Sequence, residues 1–203
     1  MLFYDSPNPA PNPRRVRIFA AEKGIELPTK EVSILAREQK SPEFMAKNPR
    51  GQTPALELDD GTVIAESVAI CRYLEALHPD PPLFGTTPTE IGLIEMWSRR
   101  VEMVLMPPVG AVWVHTHRFT AAIPGRNAQW GEENRPRVAD AFAYFDRSLE
   151  DREFLAGDRF SMADILLLTT VDFATFVGCG PGPENGALTR WHETVSARPS
   201  ASA

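Results

Sequence analysis

The segment Gly51-Gln52-Thr53-Pro54-Ala55-Leu56 and, ten residues on, the pair Glu66-Ser67 hold the residue types and spacing best suited to chemistry in this chain. A serine opening a helix offers its hydroxyl and a free backbone N–H to a carboxylate, with the helix dipole in support. A glutamate beside it can face an ammonium. Together they read as a grip for a small zwitterion, entered past a proline at a strand mouth. Taken alone, Glu-Ser before a helix is also an ordinary helix start, and the preceding Thr53-Pro54 is what favours a site.

Those residues need elements to hold them. Leu2-Phe3-Tyr4 reads as a strand, and Pro7 to Pro11 as a loop. Asn12 is expected to N-cap a helix with Pro13 at its first position, carrying Val16, Phe19 and Ala20 on one face until Gly24. Val32 and Ile34 alternate as a second strand. Leu56 and Leu58, the turn Asp60-Gly61 and Thr62-Val63-Ile64 read as a hairpin, and Ile70, Leu74 and Leu77 return to helical spacing from Ser67. The order β-α-β then β-β-α is that of a thioredoxin-like domain, assigned to residues 1–78. The proline-dense stretch 79–87 reads as a linker.

Residues 88–203 read as all-helical. Thr87-Pro88-Thr89-Glu90 has the form of a capping box, opening a helix that runs to Met106 until Pro107-Pro108 interrupts it. Trp113 and Phe119 fall in the next segment, and Val138, Phe142, Phe145 and Leu149 mark another amphipathic helix. Ile165 to Phe176 is apolar nearly all round, which places it at the domain centre. Asp164, three residues after Ser161 at that helix's start, is expected to be structural.

Composition narrows the function. The chain has 203 residues, 43% hydrophobic and 24% charged, enough for a core in one or two domains. A formal net charge of -6, with Arg14, Arg15 and Arg17 as the one dense basic cluster, argues against a nucleic-acid partner. No apolar run approaches the ~20 residues of a membrane span, and a signal pattern is not evident, so a cytoplasmic protein is expected. Cys71 and Cys179 lack metal or disulfide spacing and read as buried hydrophobes. His115 and His117 read as solvated or hydrogen-bonded helix residues, and no metal site is expected.

Asn48-Pro49-Arg50-Gly51-Gln52-Thr53-Pro54 with Glu66-Ser67 resembles the glutathione-binding half-site of the cytosolic glutathione transferase superfamily. Ser161-Met162-Ala163-Asp164 is similar to the start of that family's buried helix. The resemblance implies an α/β thioredoxin-like domain followed by an all-α domain, with glutathione as co-substrate. It implies that Ser67 receives the γ-glutamyl carboxylate and Glu66 the ammonium. Thr53, before a cis Pro54, would pair its backbone with the cysteinyl unit. Gln52, which also reads as a turn residue, would reach the glycyl end, and Lys40, which also reads as a solvated loop residue, would assist there.

At the first turn, relatives place Tyr, Ser or Cys, whereas Ala10 stands here. The run Ala10-Pro11-Asn12-Pro13-Arg14-Arg15-Val16 resembles the Thr-Pro-Asn-Gly-x-x-Val run of nu-class and related bacterial transferases, which makes Asn12 the expected thiolate partner. Ser6 and Tyr4 stand in reserve. Lowering a thiol pKa from ~8.5 to ~6.5 takes about 2.7 kcal/mol. A hydrogen bond to a charged group contributes roughly 1.5–3 kcal/mol and a partly buried helix N-terminus up to ~2 kcal/mol, so an amide can suffice. Met103, Met106, Trp113 and Phe119 are expected to line an apolar electrophile pocket. The resemblance further implies a homodimer and thiolate attack on a small electrophile, with disulfide or peroxide reduction, or binding alone, as alternatives.

Overall fold

The computed structural model describes residues 1–203, which divide into two compact units, Met1–Leu83 with Pro199–Ala203, and Phe84–Arg198. In the first unit the order is β1 (Leu2–Asp5), α1 (Pro11–Glu22), β2 (Thr29–Glu31), α2 (Pro42–Lys47), β3 (Ala55–Glu57), β4 (Val63–Ala65) and α3 (Ser67–Leu77). The strands lie in the order β2-β1-β3-β4, with β1 parallel to β2 and the other neighbours antiparallel, as a thioredoxin-like domain requires.

Strand alternation sorts the core onto two faces. Tyr4 and its cross-strand partner Ala55 join Val32 and Phe44 of α2 in one cluster. Phe3 and its partner Leu56 point the other way, where α1 and α3 pack together through Val16, Phe19, Ile70 and Leu74, all at most 1% exposed. Each such side chain contributes roughly 1.5–3 kcal/mol on burial.

In the first unit four sequence expectations shift. The first helix opens at Ala10, which makes no side-chain cap, with Pro11 at the first helical position, so Asn12 lies inside the first turn and is not the cap. The strand expected at Val32–Ile34 ends at Glu31; Val32 still donates to Asp5 O at 2.7 Å, but Ser33 Oγ then accepts from Ala36 N and turns the chain, leaving Ile34 exposed. Helix α2 was not expected, although Ser41 caps it by accepting from Phe44 N and Pro42 takes its first position. The last five residues, assigned by sequence to the helical domain, belong to the first unit: Arg14 Nη2 donates to Ala201 O at 2.9 Å, and Ser200 bonds Glu22.

The second unit holds α4 (Pro88–Arg100), α5 (Met106–Thr116), α6 (Ala128–Ser148), α7 (Met162–Val177) and α8 (Gly186–Ser196). Pro107-Pro108 does not end the helix as expected. Val101–Leu105 widens into a π turn and α5 resumes directly, with the proline pair in its first turn. The carbonyls those prolines would have bonded, of Met103 and Val104, lie in the widened turn, which relieves the ring clash without breaking the helix. Helix α7 is the centre: every residue from Met162 to Val171 is buried, and α4, α5 and α8 pack on it.

Candidate functional site

A small cleft, open to solvent, lies in the first unit between the starts of α1 and α3 and the loop before β3. Asn12, Asn48, Gln52, Thr53, Pro54, Glu66 and Ser67 line it. All but Asn48 are sequence-predicted site residues.

The loop is built by its own side chains. Asn48, 6% exposed, donates from Nδ2 to Gln52 O at 2.7 Å and accepts at Oδ1 from Arg50 N, so one amide bridges both ends of the turn. Gly51 sits at φ +57, and a Cβ there would lie 2.7 Å from Gln39 O and from Met45 Sδ, which leaves room for glycine alone. The Thr53-Pro54 peptide is cis, as the resemblance implies. Ser6 Oγ donates to Val32 O at 2.8 Å, which uses its one hydrogen. In the 2.8 Å pair between Ser6 Oγ and Thr53 Oγ1 the threonine must therefore be the donor. The Thr53 hydroxyl is turned onto Ser6. Ser6 is fully buried and so does not serve as a reserve thiolate partner. Tyr4 is likewise committed to the sheet, donating to Glu57 Oε2 at 2.6 Å, and burial raises its phenol pKa.

On the other side stands the start of α3. Glu66 is the N-cap residue, at φ 68 and ψ 121, a positive-φ conformation that costs a non-glycine residue about 1–3 kcal/mol. Its side chain makes no cap bond and stays exposed. Ser67, 5% exposed, occupies the first helical position, where backbone N–H groups have no partner within the helix. This start is held open.

Asn12 lines the cleft from the first turn of α1, half-buried, and its amide makes no hydrogen bond within the chain. A free amide N–H beside a helix N-terminus is suited to an anion. Gln52 is exposed and its Oε1 accepts from Arg50 Nε at 3.1 Å, while Arg50 Nε lies 3.8 Å from Glu66 Oε1. Lys40 donates to Arg50 O at 3.0 Å and is absent from the cleft lining. Arg50 is likewise outside the cleft lining, with its guanidinium between Gln52 and Glu66. The lysine is drawn to a backbone carbonyl, and the arginine spans two site residues.

The four residues expected to take an electrophile lie in the second unit. Met103 is 72% exposed in the π turn, and Met106 opens α5 two turns before Trp113. Trp113 and Phe119 join His117, Phe173 and Phe176 in an aromatic cluster, with Trp113 5.4 Å from Phe173 and His117 5.0 Å from Phe119 between ring centroids. Burial and the neighbouring Arg118 lower the His117 pKa. Its Nδ1 accepts from Phe119 N, and His115 Nδ1 accepts from Asn127 N, so both are hydrogen-bonded helix-end residues. The Cys71 thiol is wholly buried, and burial pushes its pKa up.

Asp164 has no part in this cleft. Its Oδ2 accepts from Ser161 N and Oγ, and its Oδ1 from Leu155 N at 2.8 Å and Trp191 Nε1 at 3.0 Å.

Comparison with known proteins agrees with this layout. Residues 10–77 match the family described as glutathione S-transferase, N-terminal domain, and residues 104–199 the glutathione S-transferase C-terminal domain. Glutathione S-transferase 2 of Saccharomyces cerevisiae is 40% identical over 210 residues, spanning 98% of this chain and 87% of the yeast protein. The crystal structure of Gtt2 from the same yeast superposes with a TM-score of 0.93 at 39% identity, covering 100% of this chain and 99% of that one. A glutathione S-transferase domain-containing protein from Marinobacter aquaeolei gives 0.93 at 38% identity, covering 98% and 99%.

Proposed function

This chain belongs to the glutathione S-transferase family of transferases, and from that premise we propose that it binds reduced glutathione in the cleft of the first unit, keeps its sulfur anionic and passes it to a small hydrophobic electrophile. The observation that carries the reading is the pairing of an open helix start at Glu66-Ser67 with the unpartnered amide of Asn12 across one cleft.

In this reading Ser67 and the first-turn N–H groups of α3 take the γ-glutamyl carboxylate, and Glu66 takes the ammonium. The backbone of Thr53 takes the cysteinyl unit, with Gln52 and Arg50 toward the glycyl end and Lys40 bracing Arg50 from behind. Asn12 donates from its Nδ2 to the thiolate, beside the positive end of α1, in a first turn we read as nu-like. Because Ala10 is the cap residue and supplies no hydroxyl, the stabilisation rests on an amide and a dipole, each of ordinary size. Apolar groups of the helical unit, Met103, Met106, Trp113 and Phe119 among them, supply the electrophile's contacts. The working form we infer is a cytoplasmic homodimer.

The test is a titration of the glutathione thiol in the bound complex by its ultraviolet absorbance, with turnover of a generic aryl halide. Wild type is expected to hold the thiol well below its free pKa. Asn12→Ala is expected to raise the bound pKa by about one unit, a change of about 1.4 kcal/mol, with glutathione still bound. An unchanged pKa and rate in that variant would remove Asn12 from the mechanism.

The missing hydroxyl also supports a second reading, in which the cleft binds glutathione without activating it. Tight binding with an unshifted thiol pKa and no turnover selects that reading. Reduction of a small disulfide would instead draw both electrons from glutathione, two molecules of which leave joined as the oxidised disulfide while the two halves of the substrate leave as thiols, with no cysteine of the chain taking part.

A further inference from the structure

Helix α1 carries a charge where its neighbours carry core. Between Pro13 and Val16, both buried, Arg15 is only 3% exposed, although a guanidinium taken out of water is costly unless its N–H groups find partners. One of those groups, Nη1, donates to Ser67 Oγ at 3.4 Å across the α1–α3 contact. That separation is long for an N–H···O bond, so its effect is orientational and electrostatic more than cohesive.

A serine hydroxyl has one hydrogen and two lone pairs, while a guanidinium only donates. Arg15 therefore occupies a lone pair of Ser67 Oγ and leaves the hydrogen to point elsewhere. No group of the chain accepts it, and Ser67 lines the cleft. Without the guanidinium, a first-turn serine is free to turn its hydroxyl onto nearby backbone.

The charges around Ser67 also have an order. Arg15 lies buried behind the start of α3, whereas the Glu66 carboxylate stands in front of it with a side chain 73% exposed. A carboxylate that reaches Ser67 comes up to the side of the start of α3 where Arg15 donates, away from the exposed Glu66 carboxylate. The Arg15 charge also reaches Cys71, one turn along α3, where it opposes the effect of burial on the thiol.

We propose that Arg15 is a positioning residue for the γ-glutamyl head of glutathione: from behind the start of α3 it aims the Ser67 hydroxyl at the carboxylate. The proposal rests on the glutathione reading given above.

The experiment compares two ligands by calorimetry on the full chain: glutathione, and 4-aminobutyryl-cysteinyl-glycine, which keeps the amine but lacks the γ-glutamyl carboxylate. Wild type is expected to prefer glutathione by at least tenfold. Arg15→Met is expected to weaken glutathione about tenfold or more and leave the analogue within about twofold, so that the preference collapses. In a Ser67→Ala background the same change is expected to do much less, because the residue it acts through is gone. A merely structural arginine would weaken both ligands alike. Arg15→Gln, neutral but still a donor, decides the matter if Arg15→Met fails to fold, and thermal melts of each variant show which protein is being measured. If wild type binds neither ligand, the glutathione reading falls and the proposal with it. If wild type discriminates and the folded Arg15 variant discriminates equally, the Arg15 proposal alone is overturned.

Discussion

Two helix starts in this molecule use similar side chains to opposite ends. At α7 the carboxylate of Asp164 is wholly buried and receives four donors, from Ser161 N and Oγ, Leu155 N and Trp191 Nε1. At α3 the glutamate stands at the cap itself, turned out to solvent at a positive φ, and the serine hydroxyl is left without an acceptor. The first start has consumed its own hydrogen-bonding capacity and is a strut between α7, α8 and the segment before them. The second keeps that capacity available at a local conformational cost, which is what a receptor for an outside carboxylate needs. A Ser-acid pattern at a helix start is thus ambiguous until the position of the acid is known. Three residues in, the chain's own carboxylate fills the site, whereas at the cap it leaves the site open.

The strut gives the largest expected effect. Asp164→Ala strands the Trp191 indole N–H and the Leu155 amide in the core together, and with Ser161 also unpaired it is expected to lower stability by about 3–5 kcal/mol. Urea denaturation would show this as a large fall in midpoint. Glutathione affinity of the protein that remains folded is expected to be unchanged, because no group of the cleft is touched. Loss of affinity in folded Asp164→Ala would break the division of labour between the two starts.

A smaller change can convert one start toward the other. Ala69 is exposed and sits on α3 where Asp164 sits on α7, three residues past the cap. Ala69→Asp supplies α3 with its own carboxylate, which is expected to stabilise the unliganded protein by about 0.5 kcal/mol and to weaken glutathione by competing for the same N–H groups and the same dipole. Thermal melts and calorimetry read the two effects on one variant. A gain in both stability and affinity would show that the open start is no receptor.

What could be read from sequence follows the range of the contacts involved. Gln52, Thr53, Pro54, Glu66 and Ser67 were legible because their roles are set within a few residues of themselves, by a turn, a strand entrance and a helix start. Asn48, in the same segment, carries no such local signal, since its bridging of Arg50 and Gln52 appears only once the turn closes. Arg15 read as part of a basic cluster; only the packing of α1 on α3 makes it an internal charge under Ser67. The first helix was misread by two residues because capping rules favour Asn over Ala, while Pro11 and Pro13 are equally good first positions. Similarly, Pro107-Pro108 predicts a break, and a π turn, which depends on what the widened helix packs against, absorbs it.

A third start, at α4, lies between the extremes and sharpens them by pH. There Glu90 Oε2 accepts from Thr86 N, Thr87 N and Thr86 Oγ1, and Oε1 accepts from Arg159 at 2.7 Å, all in the open. The backbone donors foremost, then the threonine hydroxyl and the guanidinium, pull its pKa from an ordinary 4.5 down to about 2. A depressed carboxylate holds its proton less tightly in the folded state than in the unfolded one. Its contribution is therefore fully present above pH 4.5 and is lost as pH falls toward 2. Asp164 runs the other way, because burial raises its pKa above the ordinary 3.8 despite four donors, so its ionisation weakens the fold as pH rises from 3.8 upward. Acid titrations of stability are then expected to separate the two. The gap between wild type and Glu90→Gln should shrink as acid is added, whereas the gap for Asp164→Asn should not close by this route. Parallel acid limbs for the two variants would mean that the exposed and the buried start hold their carboxylates in the same way.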